Sequence, residues 1–416
     1  MRGNNGILVP IFIIILSLLT DWYVLQGLKT IILPIRQPGI RQAIIILFRI
    51  FSIGVIVGTI IGGYFVMVKG EFTLMFRIFM HIFLIYFTAK IAFILFLSFE
   101  DIVRLFRGTI SLISSGTLGS FLPPRSFGVS VAGLSVSLLV IGVFMYGMFF
   151  ERSNYKVSRK TIYSDKLPAA FDGTTIAQIS DFHAGSFHNR DEVIKGIEII
   201  KDLKPDIFVF TGDMVNNLAK EAVPWIPVLR DIQVPLGKFS VIGNHDYGDY
   251  VRWKNQEAKD ANLAQLVRHE QQAGFDVLIN EHRAIVKGSD TIYVAGVENW
   301  GHNFIRQGDL PKALNGLSDK DFIVLLSHDP SHWEWQVKTY PVPVALTLSG
   351  HTHGFQFGIE WGKFKWSPGQ YLYPNWSGLT EENGKYLYVN QGFGYIAFEG
   401  RIGMPPEITL ITLKRR

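Results

Sequence analysis

The 416-residue chain contains no cysteine. That excludes disulfides, thiolate metal sites and a cysteine nucleophile. Charge is scarce as well: charged residues make up 18% of the chain, and the formal net charge is only +5. The basic residues are scattered and form no stripe of the kind that tracks a phosphate backbone, so no nucleic-acid binding is expected. Internal repeats and low-complexity linkers are missing too. Apolar residues are abundant instead. They reach 48% with a mean hydropathy of +0.23, high for a water-soluble protein. The length suggests two or three units of roughly 100–200 residues, and the apolar excess lies in the first 150.

Four apolar runs occupy that region: Ile7–Lys29, Ala43–Val68, Phe72–Phe99 and Gly128–Phe150. Each can cross a hydrocarbon core, which takes ~20 helical residues, and helices are expected because they pair their own backbone in lipid. The first run is too long for a signal peptide and no small-residue cleavage site follows, so it is read as a retained span. Arg49, Arg77, His81 and Lys90 fall inside the runs. Interhelical pairing or snorkelling is expected of them, the alternative being a transport path. Lys29, Arg36, Arg41, Arg104, Arg107 and Arg125 read as first- and third-loop residues, against Arg2 and Lys69 on the other side. The positive-inside rule then places everything after residue 150 outside the cytoplasm. Counting Arg152, Lys156, Arg159 and Lys160 of "ERSNYKVSRK" equalises the sides. The expectation of a multi-pass cell-membrane protein with an extracytoplasmic domain therefore rests on that stretch belonging to the fold. Residues 1–152 are read as the membrane region and 153–416 as a second domain.

From about Thr161 the pattern changes. "TTIAQIS", "DIFVFTG", "FSVIG", "DFIVLLS" and "VALTLSG" read as strands, and "RDEVIKGIEIIKDL" as an amphipathic helix. "AIVKGSDTIYVAG" reads as a hairpin around Gly288–Asp290. Strands alternating with helices imply a layered α/β fold, whose chemistry collects beyond the carboxyl ends of strands. Five of these strands are followed by metal-ligand residue types: "DFH" (Asp181, His183), "GDMVNN" (Asp213), "GNHD" (Asn244, His245, Asp246), "HD" (His328, Asp329) and "GHTHG" (His351, His353). Each motif alone is an ordinary turn sequence. Together they take five of the eleven histidines. Carboxylate and amide oxygens with imidazole nitrogens suit borderline divalent metals such as Mn, Fe or Zn, and glycines allow close backbone approach. In "GHTHG" two imidazoles two residues apart in extended chain share one side, as a pair of metals ~3.5–4 Å apart requires.

The order DxH, GD, GNH(D), H, GHxH resembles the calcineurin-like metallophosphoesterases over roughly residues 155–416. The tail "GFGYIAFEGRIGMPPEITLITL" resembles their membrane-linked bacterial branch. The resemblance implies a four-layer αββα sandwich. It implies that Asp181, His183 and His353 hold one metal, that Asn244, His328 and His351 hold the second, and that Asp213 bridges them. His245 would lie beside the scissile phosphate, with Asp246 orienting it. Two metals make hydroxide available from a bridging water near neutral pH, and that hydroxide would attack phosphorus. The substrate class would be a phosphodiester or pyrophosphate; analogy with the branch suggests a lipid-linked one such as UDP-diacylglucosamine, the alternatives being a phosphomonoester or a cyclic nucleotide.

One departure is local: relatives read GHTHGGQ, and Phe355 replaces a glycine here. The aromatic stretch "FQFGIEWGKFKWSPGQYLYPNW" is expected to pack a second sheet, the alternative being an apolar rim facing lipid. Glu298 is expected to be a packing or supporting residue, and His188, His269, His282, His302 and His332 to be surface or structural. The competing functional class is a transporter or receptor whose soluble part senses phosphate esters without cleaving them. The intact set of ligand types weighs against it.

Overall fold

The computed structural model describes residues 5–69, 73–115, 122–302, 304–362 and 364–416; Arg2, Phe72 and Lys363 lie outside the described residues. The chain divides into two compact units, Met1–Met145 and Tyr146–Arg416.

The first unit is helical: α1 (Asn5–Ile32), α2 (Pro38–Lys69), α3 (Leu74–Ser115) and α4 (Phe127–Phe149), the last running on into the second unit. All four are long and apolar enough to cross a membrane. The turn before α2 carries Pro34 and Pro38, and a proline at the first helical position costs no hydrogen bond. The third helix extends well past Phe99, because "FEDIVRLFRG" keeps good helix formers and contains no proline. Arg104 and Arg107 are therefore helical residues, which corrects their placement in a loop. Arg104 and Arg125 both pair with Asp101, each at 2.6 Å. Lys90 is buried and pairs with Asp21 at 2.9 Å, with the Ser52 hydroxyl on the other Asp21 oxygen. The expected interhelical pairing is present for Lys90, and Asp21 supplies the counter-charge.

The second unit holds two six-stranded sheets. The first comprises β1 (Lys156–Ser164), β2 (Thr175–Ile179), β3 (Ile207–Phe210), β4 (Lys238–Ser240), β5 (Asp276–Val277) and β14 (Glu407–Arg415), in the order β1-β14-β2-β3-β4-β5. The second comprises β6 (Glu281–Lys287), β7 (Asp290–Gly296), β8 (Ile323–Leu326), β9 (Leu346–Ser349), β12 (Gly378–Glu382) and β13 (Lys385–Val389), in the order β12-β13-β9-β8-β7-β6. A separate antiparallel ribbon joins β10 (Ile359–Trp361) to β11 (Phe364–Trp366). Helices α5 (Arg190–Leu203), α6 (Ile226–Arg230), α7 (Gln256–Gln272), α8 (Leu310–Ala313) and α9 (Ser331–Trp335) lie between the strands in sequence.

Period-two alternation builds the layers. Ile207 and Val209 of β3 join Val324 and Leu326 of β8 in one core between the sheets. Phe208 and Phe210 point the other way, against Val193, Ile197 and Ile200 of α5. Ile323 and Leu325 pack against Leu310 and Trp333 on the opposite outer face. Strands buried on both faces read as continuous apolar runs, and the result is an αββα sandwich. The stretch "ERSNYK" leads directly into β1, so Lys156, Arg159 and Lys160 are sheet residues.

The aromatic stretch departs from the expected sheet packing. It forms the β10–β11 ribbon, a separate two-stranded sheet that pairs with neither six-stranded sheet and whose side chains are largely exposed.

Candidate metal centre

Five strand ends from both sheets converge. β2 leads into Asp181 and His183, β3 into Asp213, β4 into Asn244 to Asp246, β8 into His328, and β9 into His351 and His353. Within each sheet these strands run parallel, so their carboxyl ends share one edge. One donor atom each from Asp181, His183 and His353 lies within 4.8 Å of the others, and the same holds for Asp213, His328 and His351. In the first group His353 Nε2 lies 3.2 Å from Asp181 Oδ1 and 3.0 Å from His183 Nε2. Asp213 Oδ2 lies between the groups, 3.7 Å from His183 Nε2 and 3.3 Å from His328 Nε2. Asn244 Oδ1 lies 3.2 Å from His328 Nε2 and 2.8 Å from His351 Nδ1. All seven side chains predicted as metal ligands thus meet in one place.

This donor set fits divalent cations. The Thr211 carbonyl, 2.7 Å from His328 Nδ1, accepts its hydrogen and leaves Nε2 aimed at Asp213. Burial pushes the His328 imidazole down, but the Asp213 and Asp181 carboxylates outweigh it and raise it to about 10. Burial likewise pushes Asp213 up, yet His328 and His245 hold it well below the usual carboxylate range. A largely buried site with two carboxylates attracts positive charge. Six oxygen or imidazole donors beside one shared carboxylate is the ligand chemistry of hard-to-borderline metals.

The backbone is bent to achieve this. Asp181, His183, Asp213, His351 and His353 all have left-handed φ between 50° and 70°. Each such residue costs roughly 1–2 kcal/mol, and strain of this kind persists only where the surroundings enforce it. Here Asp181 N–H donates to Gly212 O, His183 N–H to Asp213 O, and His351 N–H to the Asp181 carboxylate. Gly243 is required by proximity: a Cβ there would meet Asp213 Oδ1 at 2.3 Å. Phe355 also sits at φ 57°, a conformation natural to glycine, and its ring packs over Gly369.

His245 and Asp246 lie in the same loop. The His245 N–H donates to Asp213 Oδ1 at 2.8 Å, and its ring stacks on Tyr250 at 4.3 Å between centroids. His245 Nδ1 is 3.0 Å from the Asn216 carbonyl, which only accepts, so Nδ1 carries the hydrogen. Asp246 takes a different part from the one expected. Its buried carboxylate accepts from the backbone N–H groups of Asp213, Val215 and Gly243, fastening two loops, while Asn216 orients the His245 ring. Burial, with the neighbouring Asp213 charge, raises Asp246 to about 7.

Several neighbours were given no role by the sequence reading. The Tyr373 hydroxyl is 2.8 Å from His351 Nε2, and Asp329 Oδ2 is 3.6 Å from the same nitrogen. Asp329 belongs to the "HD" motif, so a signal existed for it; Tyr373 lies in the aromatic stretch without one. Arg401 is fully buried and donates to the carbonyls of Gly392, Gly394, His353 and Met404, bracing the loops behind the first group. Glu298 accepts from Tyr247 and Asn280, a supporting role as expected. His269 and His332 are buried structural histidines; His332 lies between Ser327 and Gln336.

Comparison with known proteins agrees with this geometry. Residues 4–152 match the family described as "Probable Calcineurin-like phosphoesterase, transmembrane domain", and residues 174–355 match "Calcineurin-like phosphoesterase". The chain is 32% identical over 294 residues to the "Uncharacterized metallophosphoesterase YkuE" of Bacillus subtilis, covering 69% of this chain and 94% of that protein. It is 27% identical to the "Transmembrane protein with metallophosphoesterase domain" of Danio rerio, covering 70% of this chain and 64% of that protein. It is also 27% identical to the "UDP-2,3-diacylglucosamine pyrophosphatase LpxG" of Chlamydia trachomatis, covering 69% and 97%. The protein is a metal-dependent phosphoric ester hydrolase carried on a membrane protein. It belongs to the calcineurin-like metallophosphoesterase family, in the membrane-linked group that these relatives represent.

Proposed function

We propose that this protein is a membrane-anchored, dinuclear-metal phosphoesterase that hydrolyses a phosphodiester or pyrophosphate bond of a lipid-linked substrate, with water as the nucleophile. The observation that carries the two-metal reading is Asp213, whose one carboxylate oxygen approaches an imidazole of each group. Asp181, His183 and His353 would hold one ion and Asn244, His328 and His351 the other, with Asp213 shared. Ions there would supply positive charge for the phosphoryl oxygens and make water more acidic. His245 is the proton-handling group: with Nδ1 fixed on Asn216, Nε2 is the atom available to the leaving oxygen. Asp246 keeps the Asp213 and Asn244 loops in register. The membrane region would span 1–152 and the catalytic domain 153–416.

The lipid-linked substrate is supported by the four candidate spans and by the relatives named for UDP-2,3-diacylglucosamine cleavage. An extracytoplasmic catalytic domain is our reading of the positive-inside count, with Lys156, Arg159 and Lys160 assigned to the folded domain because they lie in β1, and Arg104 and Arg107 still counted because they flank the end of the third apolar run although they are helical. Purified full-length protein, with Mn²⁺ and with chelator, would be assayed against bis-p-nitrophenyl phosphate, p-nitrophenyl phosphate and UDP-diacylglucosamine. Metal-dependent cleavage, with the lipid preferred, is the expected result. Binding of these esters without cleavage would replace the enzyme by a sensor.

A further inference from the structure

We propose that the β10–β11 ribbon and the turn after it dip into the bilayer interface and hold the catalytic domain against the lipid surface. The first observation is exposure. Trp361 is 84% exposed, Tyr371 75%, Leu372 69%, Phe364 59% and Ile359 53%. Single exposed hydrophobics are ordinary on a soluble surface, but five within fourteen residues form a patch that needs a partner.

The second observation is where the ribbon is rooted. Arg401 N–H donates to the carbonyl of Gly147, and the Glu151 carboxylate accepts from Gly403 N–H at 3.0 Å. Both Gly147 and Glu151 belong to the end of the last candidate span, Phe127–Ser153. The same 401–403 segment pairs with the ribbon base: Gly358 N–H donates to Ile402 O at 2.8 Å, and Phe357 bridges to Ile402. Lys156, a few residues beyond the span, pairs with Glu360 of β10 at 2.7 Å. The ribbon is thus bonded to the very segment by which the chain leaves the membrane. A bilayer is the surface this geometry brings to it, and Trp, Tyr and Phe beside Lys156 and Lys365 is the composition of a membrane–water interface.

The third observation is what lies on the other side. Ser367 donates to Gly354 O, Gly369 supports the Phe355 ring, and Tyr373 reaches His351. The ribbon therefore connects the membrane exit to the "GHTHG" loop. A phosphate ester whose tail stays in lipid would have its head group held beside the metal centre.

The inference rests on the membrane assignment and not on catalysis, so the two fail separately. The absence of native cysteine makes the test direct. W361C and F364C, each carrying a nitroxide, would be reconstituted full-length into phosphatidylcholine–phosphatidylglycerol vesicles. Their accessibility to oxygen and to a water-soluble nickel chelate would then be compared by power-saturation EPR. K320C is the control, because its neighbour Asp319 is bonded by Lys166, beyond the far end of β1 and about 25–30 Å from Lys156 by strand rise. Oxygen-rich, nickel-poor environments at 361 and 364 with an aqueous 320 are expected. Nickel-accessible labels at 361 and 364 would overturn the proposal. So would labels shielded from both reagents, which would mean that a second copy or another protein covers the ribbon. In parallel, W361S/F364S should lose about tenfold or more in kcat/KM on a vesicle-borne substrate, with bis-p-nitrophenyl phosphate turnover within about twofold. Equal losses on both would refute the docking role.

Discussion

His245→Ala tests the chemistry most sharply. The side chain is held by the Asn216 carbonyl and by the Tyr250 ring, and it packs edge-on to the His183 ring at 5.0 Å, but among the described residues it makes no side-chain hydrogen bond to a residue of either donor group; its hydrogen bond to Asp213 is through the backbone N–H, which alanine keeps. Metal content should therefore stay at two ions per chain by elemental analysis. In the proposed role Nε2 hands the proton to the leaving oxygen, so removing it should lower kcat by roughly 10²–10⁴, a barrier increase of about 3–5 kcal/mol. The loss should depend on the leaving group. A nitrophenolate needs little protonation and should suffer least; an alkyl phosphate needs a proton and should suffer most. The assay is kcat across a series of aryl and alkyl diesters, with metal content measured on the same preparations. A rate unchanged for the alkyl esters, or loss of metal, would refute the assignment.

Asp213→Ala should abolish the metal pair and the activity together; two ions retained per chain would remove the bridging role. Tyr373→Phe deletes the hydroxyl beside His351 Nε2 and should weaken one metal site by about 10–100-fold, read by Mn²⁺ titration with EPR, whereas unchanged affinity would leave Tyr373 a packing residue. His332 is fully buried, and burial pushes its imidazole down to about 4. Its folded pKa lies below the unfolded value near 6.5, so the unfolded chain binds the extra proton. Stability should fall as pH drops from about 6.5 to 4, by about 3 kcal/mol in all. Thermal unfolding of wild type and His332→Gln across that range should show the variant losing less; parallel curves would place the acid sensitivity elsewhere.

The sequence by itself determined the elements and the ligand types. Runs such as "DIFVFTG" and "VALTLSG", short, β-branched or aromatic and bounded by turn residues, read as doubly buried strands, and apolar stretches long enough to cross a bilayer pair their own backbone as helices. Asp, Asn and His after five such strands were legible because ligand chemistry is a property of residue type, which the chain states openly. Tertiary structure decided the rest. It brought Asp213 between His183 and His328, residues separated by over a hundred positions, through parallel pairing within each sheet and the packing of the two sheets against one another. It set five ligand residues in left-handed backbone, a strain enforced by contacts from other strands. It gave the task of orienting His245 to a backbone carbonyl, which no residue type announces. It also turned the aromatic stretch outward, because whether an apolar residue is buried depends on whether another layer packs over it, and the ribbon stands as a separate two-stranded sheet outside both six-stranded ones.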